Sequence, residues 1–314
     1  MANCHNLFQR FTGEISITPG KKSKMKSSKE GLRKRVVKHF KENHPGYDPL
    51  FYIQGSHKMG SGIRTKDDIC DLDDGVYFFR KPDVSAATLQ GWVWDAVNGY
   101  TDTTPEYRKK CIRNIFSGDY EIDMPVYYKI DGEDYQLAVK NVGWESSDPK
   151  AIVDWFNEQK DKNGIILRIV KKHKAWGDHK RNRMPNGLAM TILVCNAAKK
   201  IVLNERDDIT MRDILNEIHK TLNVNFTCVV PAVPNDDLFA DYDTDRKDDF
   251  MNALKAFLDD ANAALKETNE LKSSRLWRKH LGNRFPEGKD EDTEKVDAAI
   301  VTGAKSSRPW AAQK

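Results

Sequence analysis

Gly55-Ser56 and, further along, Asp71-Leu72-Asp73 pair a phosphate-binding turn with two carboxylates. The run Leu50-Phe51-Tyr52-Ile53-Gln54 is apolar and aromatic, as a strand requires. Free backbone N–H groups and the Ser56 hydroxyl would then stand where the chain turns, placed to take a triphosphate. In a strand from Cys70 to Phe79, residues two apart share a face. Asp71 and Asp73 therefore point together, while Leu72, Asp74, Val76 and Phe78 point away. Two neighbouring carboxylates repel unless a cation lies between them, and oxygen-only ligation suits magnesium or manganese, which also hold substrate phosphates. A two-metal site needs a further acid. Asp123 is the candidate: Ile122, Met124, Val126, Tyr128 and Ile130 form one apolar face, leaving Glu121, Asp123, Tyr127 and Lys129 on an open polar one. Pro125 cannot donate to a ladder, so this strand is at an edge or irregular there. The plainer readings are surface carboxylates for the aspartates and a helix cap for Ser56.

The elements that must position these groups read as α+β. Helices are predicted near Asn6 to Ile17 and Lys29 to Asn43, separated by Thr18-Pro19-Gly20 and a lysine-rich connection. The strands follow, with helices expected at Thr88 to Val97 and Pro105 to Phe116, and Asp131-Gly132 marks a hairpin into Tyr135 to Lys140. Beyond Asp148 the spacing of Ile152, Val153, Trp155 and Phe156 turns helical, and helices are predicted at 165–178, 188–200, 210–222, 245–267 and 273–281. Thr210-Met211-Arg212-Asp213 reads as a capping box opening one of them. The division expected is a catalytic lobe with N-terminal helices over 1–148, a helical lobe over 149–285, and a polar tail over 286–314.

The 314 residues suffice for two lobes around a cleft, and 39% hydrophobic content for ordinary cores. A net charge of +4 excludes a polycation. Five scattered cysteines (Cys4, Cys70, Cys111, Cys195, Cys228) give neither zinc-binding spacing nor a disulfide framework, which points to a reducing cytoplasm. The longest apolar stretch, Leu188 to Ala198, is about half of the ~20 residues a membrane helix needs, and the N-terminus lacks a signal peptide's apolar core. A soluble protein with no membrane partner is expected. His57, His173 and His179 read as surface or packing residues, and Trp155 and Trp176 as core. The lysines and arginines from Lys21 to Lys38 read as a solvated connector.

Phe51-Tyr52-Ile53-Gln54-Gly55-Ser56, Asp71-Leu72-Asp73-Asp74-Gly75, Ile122-Asp123-Met124-Pro125-Val126-Tyr127, Lys174-Ala175-Trp176 and Pro185-Asn186-Gly187-Leu188-Ala189 occur in that order. In this set the chain resembles the bacterial cyclic oligonucleotide synthases of the cyclic GMP-AMP synthase and DncV-like nucleotidyltransferase group, over residues 1 to about 285. The resemblance implies a DNA polymerase beta-like nucleotidyltransferase lobe with a mainly helical second lobe. It implies nucleoside triphosphate substrates joined into a cyclic di- or oligonucleotide, with Lys174 reaching the triphosphate. Asn186 stands near a position where relatives often carry serine, and is expected to contact phosphate through its amide or backbone. It further implies antiviral defence in which the product activates a separate effector, and a C-terminus open to a ubiquitin-like transfer apparatus. With no zinc-binding cluster beside the basic run, no obligatory nucleic-acid activator is expected. The same carboxylates leave open a linear oligoadenylate synthase, a small-molecule nucleotidyltransferase such as an antibiotic-modifying enzyme, or a silent nucleotide- or RNA-binding module.

Overall fold

The computed structural model describes residues 2–290 and bears out the α+β expectation. Its centre is a mixed sheet. β1 (Leu50–Gln54) lies antiparallel to β2 (Cys70–Phe78), with Leu50 opposite Tyr77 and Gln54 opposite Asp73. β2 runs parallel to β5 (Tyr120–Met124) and β6 (Val126–Tyr128). These two are one strand interrupted at Pro125, whose carbonyl still accepts from the Val76 amide at 2.8 Å. β4 (Ile112–Phe116) pairs antiparallel with β5 and carries β3 (Glu106–Tyr107); β7 (Gln136–Val139) and β8 (Gly143–Ser146) extend the sheet from β6.

The alternation along β2 sorts its side chains as the sequence predicts. Leu72, Val76 and Phe78 are buried in a core shared with Met25, Leu32, Val36 and Phe40 of α2 (Pro19–Asn43) and Leu89, Val93 and Val97 of α4 (Ala86–Val97). Asp74 also points into this layer, where the Arg33 guanidinium pairs with both of its oxygens. The opposite face carries Asp71 and Asp73 at one end and, further along, Tyr77 packed with Tyr127, Leu137 and Val139.

Two sequence expectations fail in this lobe. The segment 105–116, expected to be helical, is the β3–β4 hairpin. The lysine-rich connection is instead the first half of α2, a single helix of 25 residues whose buried stripe runs Lys21, Met25, Lys29, Leu32, Val36 and Phe40. Lys21 is held by Asp119 at 2.9 Å and Asp68 at 3.0 Å, and its stem fills the stripe where an apolar residue would stand.

The helices α5 (Pro149–Gln159), α6 (Ile165–Lys180), α7 (Gly187–Ala198), α8 (Asp207–Val224), α9 (Thr244–Lys266) and α10 (Glu270–Leu281) enclose a second core around Trp176, Trp277, Phe250 and Phe257. α7 is buried almost all round, as a central helix must be. α1 (His5–Ile15), expected with the catalytic lobe, packs in this core: Phe8 meets Trp277 at 4.9 Å and Phe285 at 5.0 Å. α8 opens at Asp207 rather than at Thr210, whose hydroxyl instead donates to the Asn204 carbonyl at 2.7 Å. Residues 286–290, assigned to the tail, dock on α10, with the Gly288 amide 2.9 Å from the Ser274 hydroxyl. The rest of that assignment, 291–314, lies outside the described residues. Among the described residues, no helix is long and apolar enough to cross a membrane, and all five cysteines are free.

Candidate active site

β1 ends at Gln54, and the chain turns through Gly55 into the short helix α3 (Gly55–Met59). Gly55 takes φ +60°, a conformation glycine adopts without strain. A Cβ there would also overlap the Asp73 carboxylate, so the turn and the carboxylate are packed as one unit. The Ser56 hydroxyl is buried and has no hydrogen-bond partner. Behind the turn, Gln54 is fixed by Tyr127, to which it donates at 3.1 Å, and by Tyr77, from which it accepts at 2.8 Å.

The turn forms one wall of a cavity of about 390 Å³ in which Gly55, Ser56, Asp71 and Asp73 face Lys174 of α6 and Gly187, Leu188 and Thr191 of α7. Lys174 reaches the cleft past Gly187, where an added Cβ would stand 3.1 Å from the lysine Cε. Its ammonium donates to the Ser61 carbonyl at 3.1 Å. Burial lowers its pKa, against the pull of Asp71 and Asp73.

Asp123 lies directly beside Asp73 in the parallel pairing of β2 and β5, one strand spacing away. The sequence placed it on an open face. In the structure it is only 8% exposed, covered by a charge and not by apolar side chains. Arg113 of β4, opposite Asp123 in register, donates from Nε and Nη2 to its two oxygens at 2.7 Å each and pairs through Nη1 with Glu121. Among the described residues, no three His, Cys, Asp or Glu side chains form a ready metal cluster. The third carboxylate is engaged by Arg113 instead.

The electrostatics nonetheless fit a cation. Burial, with the charges of Asp71 and Asp123, pushes the Asp73 carboxyl up to about 8, and Lys174 and Arg113 offset this only in part. A half-buried carboxylate crowded by two others is stabilised by a divalent ion in reach of all three. The donor set is oxygen only, as magnesium and manganese prefer.

Six of the seven residues singled out from sequence thus gather here: Gly55, Ser56, Asp71, Asp73 and Lys174 around the cavity, and Asp123 beside Asp73. Asn186 does not line it. Its side-chain oxygen caps α7, accepting from the Ala189 amide at 2.9 Å. Arg113, Gln54 and Thr191 escaped the sequence reading. Arg113 would have been visible only had 112–116 been read as a strand.

Comparison with known proteins agrees with this geometry. The family described as cyclic GMP-AMP synthase DncV-like, nucleotidyltransferase domain, matches residues 49–127, the stretch that carries the turn and all three aspartates. The cyclic GMP-AMP synthase of Escherichia albertii is 33% identical over 196 residues, covering 56% of this chain but only 44% of that one. The cyclic AMP-AMP-AMP synthase of an Acinetobacter species is 28% identical over 266 residues, covering 75% of this chain and 72% of its own. Among solved structures, Vibrio cholerae DncV, a cyclic AMP-GMP synthase, superposes with a TM-score of 0.79 at 18% identity over 90% of this chain and 97% of that one, and Escherichia coli DncV with 0.76 over 87% and 93%. The latter two show the shared fold, a polymerase beta-like nucleotidyltransferase lobe with its helical partner. Residues 49–127 thus match the DncV-like nucleotidyltransferase domain, and the chain shares the fold of the solved DncV structures.

Proposed function

We propose that the protein is a nucleotidyltransferase that joins nucleoside triphosphates into a cyclic di- or oligonucleotide. The observation that carries this reading is the cavity in which Asp71 and Asp73 stand between the Gly55-Ser56 turn and Lys174, with Asp123 next in the sheet. Phosphates at the turn would meet backbone N–H groups and the unpartnered Ser56 hydroxyl, while Lys174 neutralises the departing pyrophosphate. A ribose hydroxyl of the acceptor attacks the α-phosphorus of the donor. The new O–P bond replaces the bond to the pyrophosphate oxygen, and the hydroxyl proton leaves to water or a carboxylate. Magnesium or manganese held by Asp71, Asp73 and Asp123 would supply the positive charge that the phosphates and the attacking oxygen need. A second transfer closes the ring.

The ring, rather than a linear product, rests on the relatives: those matched make cyclic GMP-AMP, cyclic AMP-AMP-AMP and cyclic AMP-GMP. Since these products differ, the bases used here are not fixed by family. A role in antiviral signalling within the bacterial cytoplasm, through a separate effector and with transfer machinery acting on the C-terminus, is the biological setting that the resemblance given in the sequence analysis implies. Activity is expected without added nucleic acid.

The test is incubation of the purified protein with magnesium and each nucleoside triphosphate, singly and in pairs, with products identified by mass after phosphatase treatment. Phosphatase-resistant rings are expected, and pyrophosphate release should fall by about 10³-fold or more, ~4 kcal/mol, in the D71N/D73N double variant. Near-parent turnover in that variant would refute the site. Products that phosphatase degrades would favour a linear synthase, and turnover only with an added small-molecule acceptor would favour a modifying enzyme.

A further inference from the structure

The third carboxylate does not stand free. The Asp123 carboxylate makes no hydrogen bond among the described residues other than the two from Arg113, so that guanidinium sets its plane. Arg113 in turn is fixed from two sides: its backbone is locked opposite Asp123 in the β4–β5 ladder, and its remaining nitrogen is engaged by Glu121, two residues along the same face of β5. The guanidinium is about four-fifths buried, which disfavours its charge. The hydrogen bonds and field of Asp123, with the field of Glu121, overcome that penalty and hold Arg113 above its ordinary value. It cannot swing out to solvent without leaving two carboxylates behind it.

A carboxylate oxygen has two lone pairs, and a bidentate guanidinium occupies one on each oxygen. The other pair on each remains available. We propose that Arg113 is a positioning residue of the site: it holds Asp123 in a single orientation in which the free lone pairs can reach a divalent ion shared with Asp73. The proposal rests on the nucleotidyltransferase reading. It adds that the third carboxylate is built into the sheet by a cross-strand cation, rather than being free until an ion gathers it. A purely structural role does not account for the arrangement, because Glu121 alone would satisfy a surface arginine at far lower desolvation cost.

The test uses full-length R113Q and R113K beside the parent and D71N/D73N. Three quantities are read: the unfolding midpoint, manganese binding by electron paramagnetic resonance with a non-hydrolysable nucleotide present, and steady-state kcat and KM. In R113Q, nucleotide affinity should stay within about twofold, because Ser56 and Lys174 are untouched. Manganese binding at one position should weaken at least about tenfold, and kcat should fall about 10²-fold, as expected when a reacting group loses its placement. R113K keeps the charge but not the fork, and should recover part of both losses; it carries the test if R113Q does not fold. Parent-like kcat and manganese binding in either folded variant overturns the proposal. So does a loss of kcat, nucleotide affinity and unfolding midpoint in equal measure, which would make Arg113 a folding residue. Should D71N/D73N keep its activity, the underlying reading fails; should D71N/D73N be inactive while the Arg113 variants match the parent, only this inference does.

Discussion

Gly55 and Asp73 share a space that admits only one of them: a single methyl group on the glycine would overlap the aspartate carboxylate. The Gly55 turn and Asp73 are therefore coupled through a missing side chain. Gly55→Ala should suffer twice. The φ of +60° costs about 1–2 kcal/mol for a residue with a Cβ, and Asp73 must also shift. Activity should fall more steeply than stability, by about 10²-fold or more against a midpoint loss of a few degrees, read by pyrophosphate release and thermal unfolding. Full activity in a Gly55→Ala protein would show that the close approach has no role.

Asp74 provides the opposite control. It neighbours Asp73 in sequence yet faces the other layer, fully buried on Arg33. Asp74→Ala strands that guanidinium and should cost about 3 kcal/mol, the low end for a broken buried pair because Arg33 retains some contact with water. Nucleotide affinity at temperatures where the variant stays folded should be unchanged. A change in affinity larger than the change in stability would place Asp74 in the site after all.

Lys174 and Asn186 are separable in the same way. Lys174→Met should raise KM for nucleoside triphosphate about tenfold or more, since an ammonium beside the phosphates is lost without a replacement. Asn186→Ala removes the N-cap of α7 and should lower stability by about 1 kcal/mol. Asn186→Ser or Asn186→Asp should restore it. An Asn186→Ala variant with unaltered stability and a KM as high as that of Lys174→Met would return this residue to the phosphate.

His173 gives the protein an acid limit. It is fully buried, neither ring nitrogen has a partner, and burial drives its pKa down to about 3. The unfolded chain, with an ordinary histidine near 6.5, binds the proton more readily. The stability tied to the neutral ring is thus complete above pH 6.5 and drains away as pH falls toward 3. By pH 4.5 the loss is on the order of 2–3 kcal/mol. Denaturant titrations at pH 7 and 4.5 should show a smaller drop in His173→Leu than in the parent; equal drops would remove His173 as the cause.

How far the sequence could be read depended on which side chains occupied the inward positions. β2 and the β5–β6 run were legible because Leu72, Val76, Phe78, Ile122, Met124 and Val126 keep strict alternation. β4 was not, since an inward position is filled by Asn114, whose amide donates to the Ile122 carbonyl at 3.3 Å, and the apolar period is broken there. Arg113 was lost with it. α2 hid its first half for a related reason: two of the six residues in its buried stripe are lysines, so a helical face reads as a charged connector. The start of α8 was missed because Asp207 is drawn into a buried group with Lys172 and Arg168, leaving Thr210 to mimic a cap. The Gly55-Ser56 turn and the aspartates needed only local spacing, which one sequence supplies. Their neighbours across strands and lobes came from pairing, which it does not.

The placement of α1 within the helical core ties the halves of the molecule together. The chain crosses between the halves at Ser16 and again after Ser147, and between these crossings Met59 and Ile63, just past the Gly55 turn, lie in the helical core with α1. The turn is thereby anchored from both sides of the groove, and the Lys174 bond to the Ser61 carbonyl clasps the same place. A nucleotide should therefore meet a mouth whose Gly55 end is already set in position.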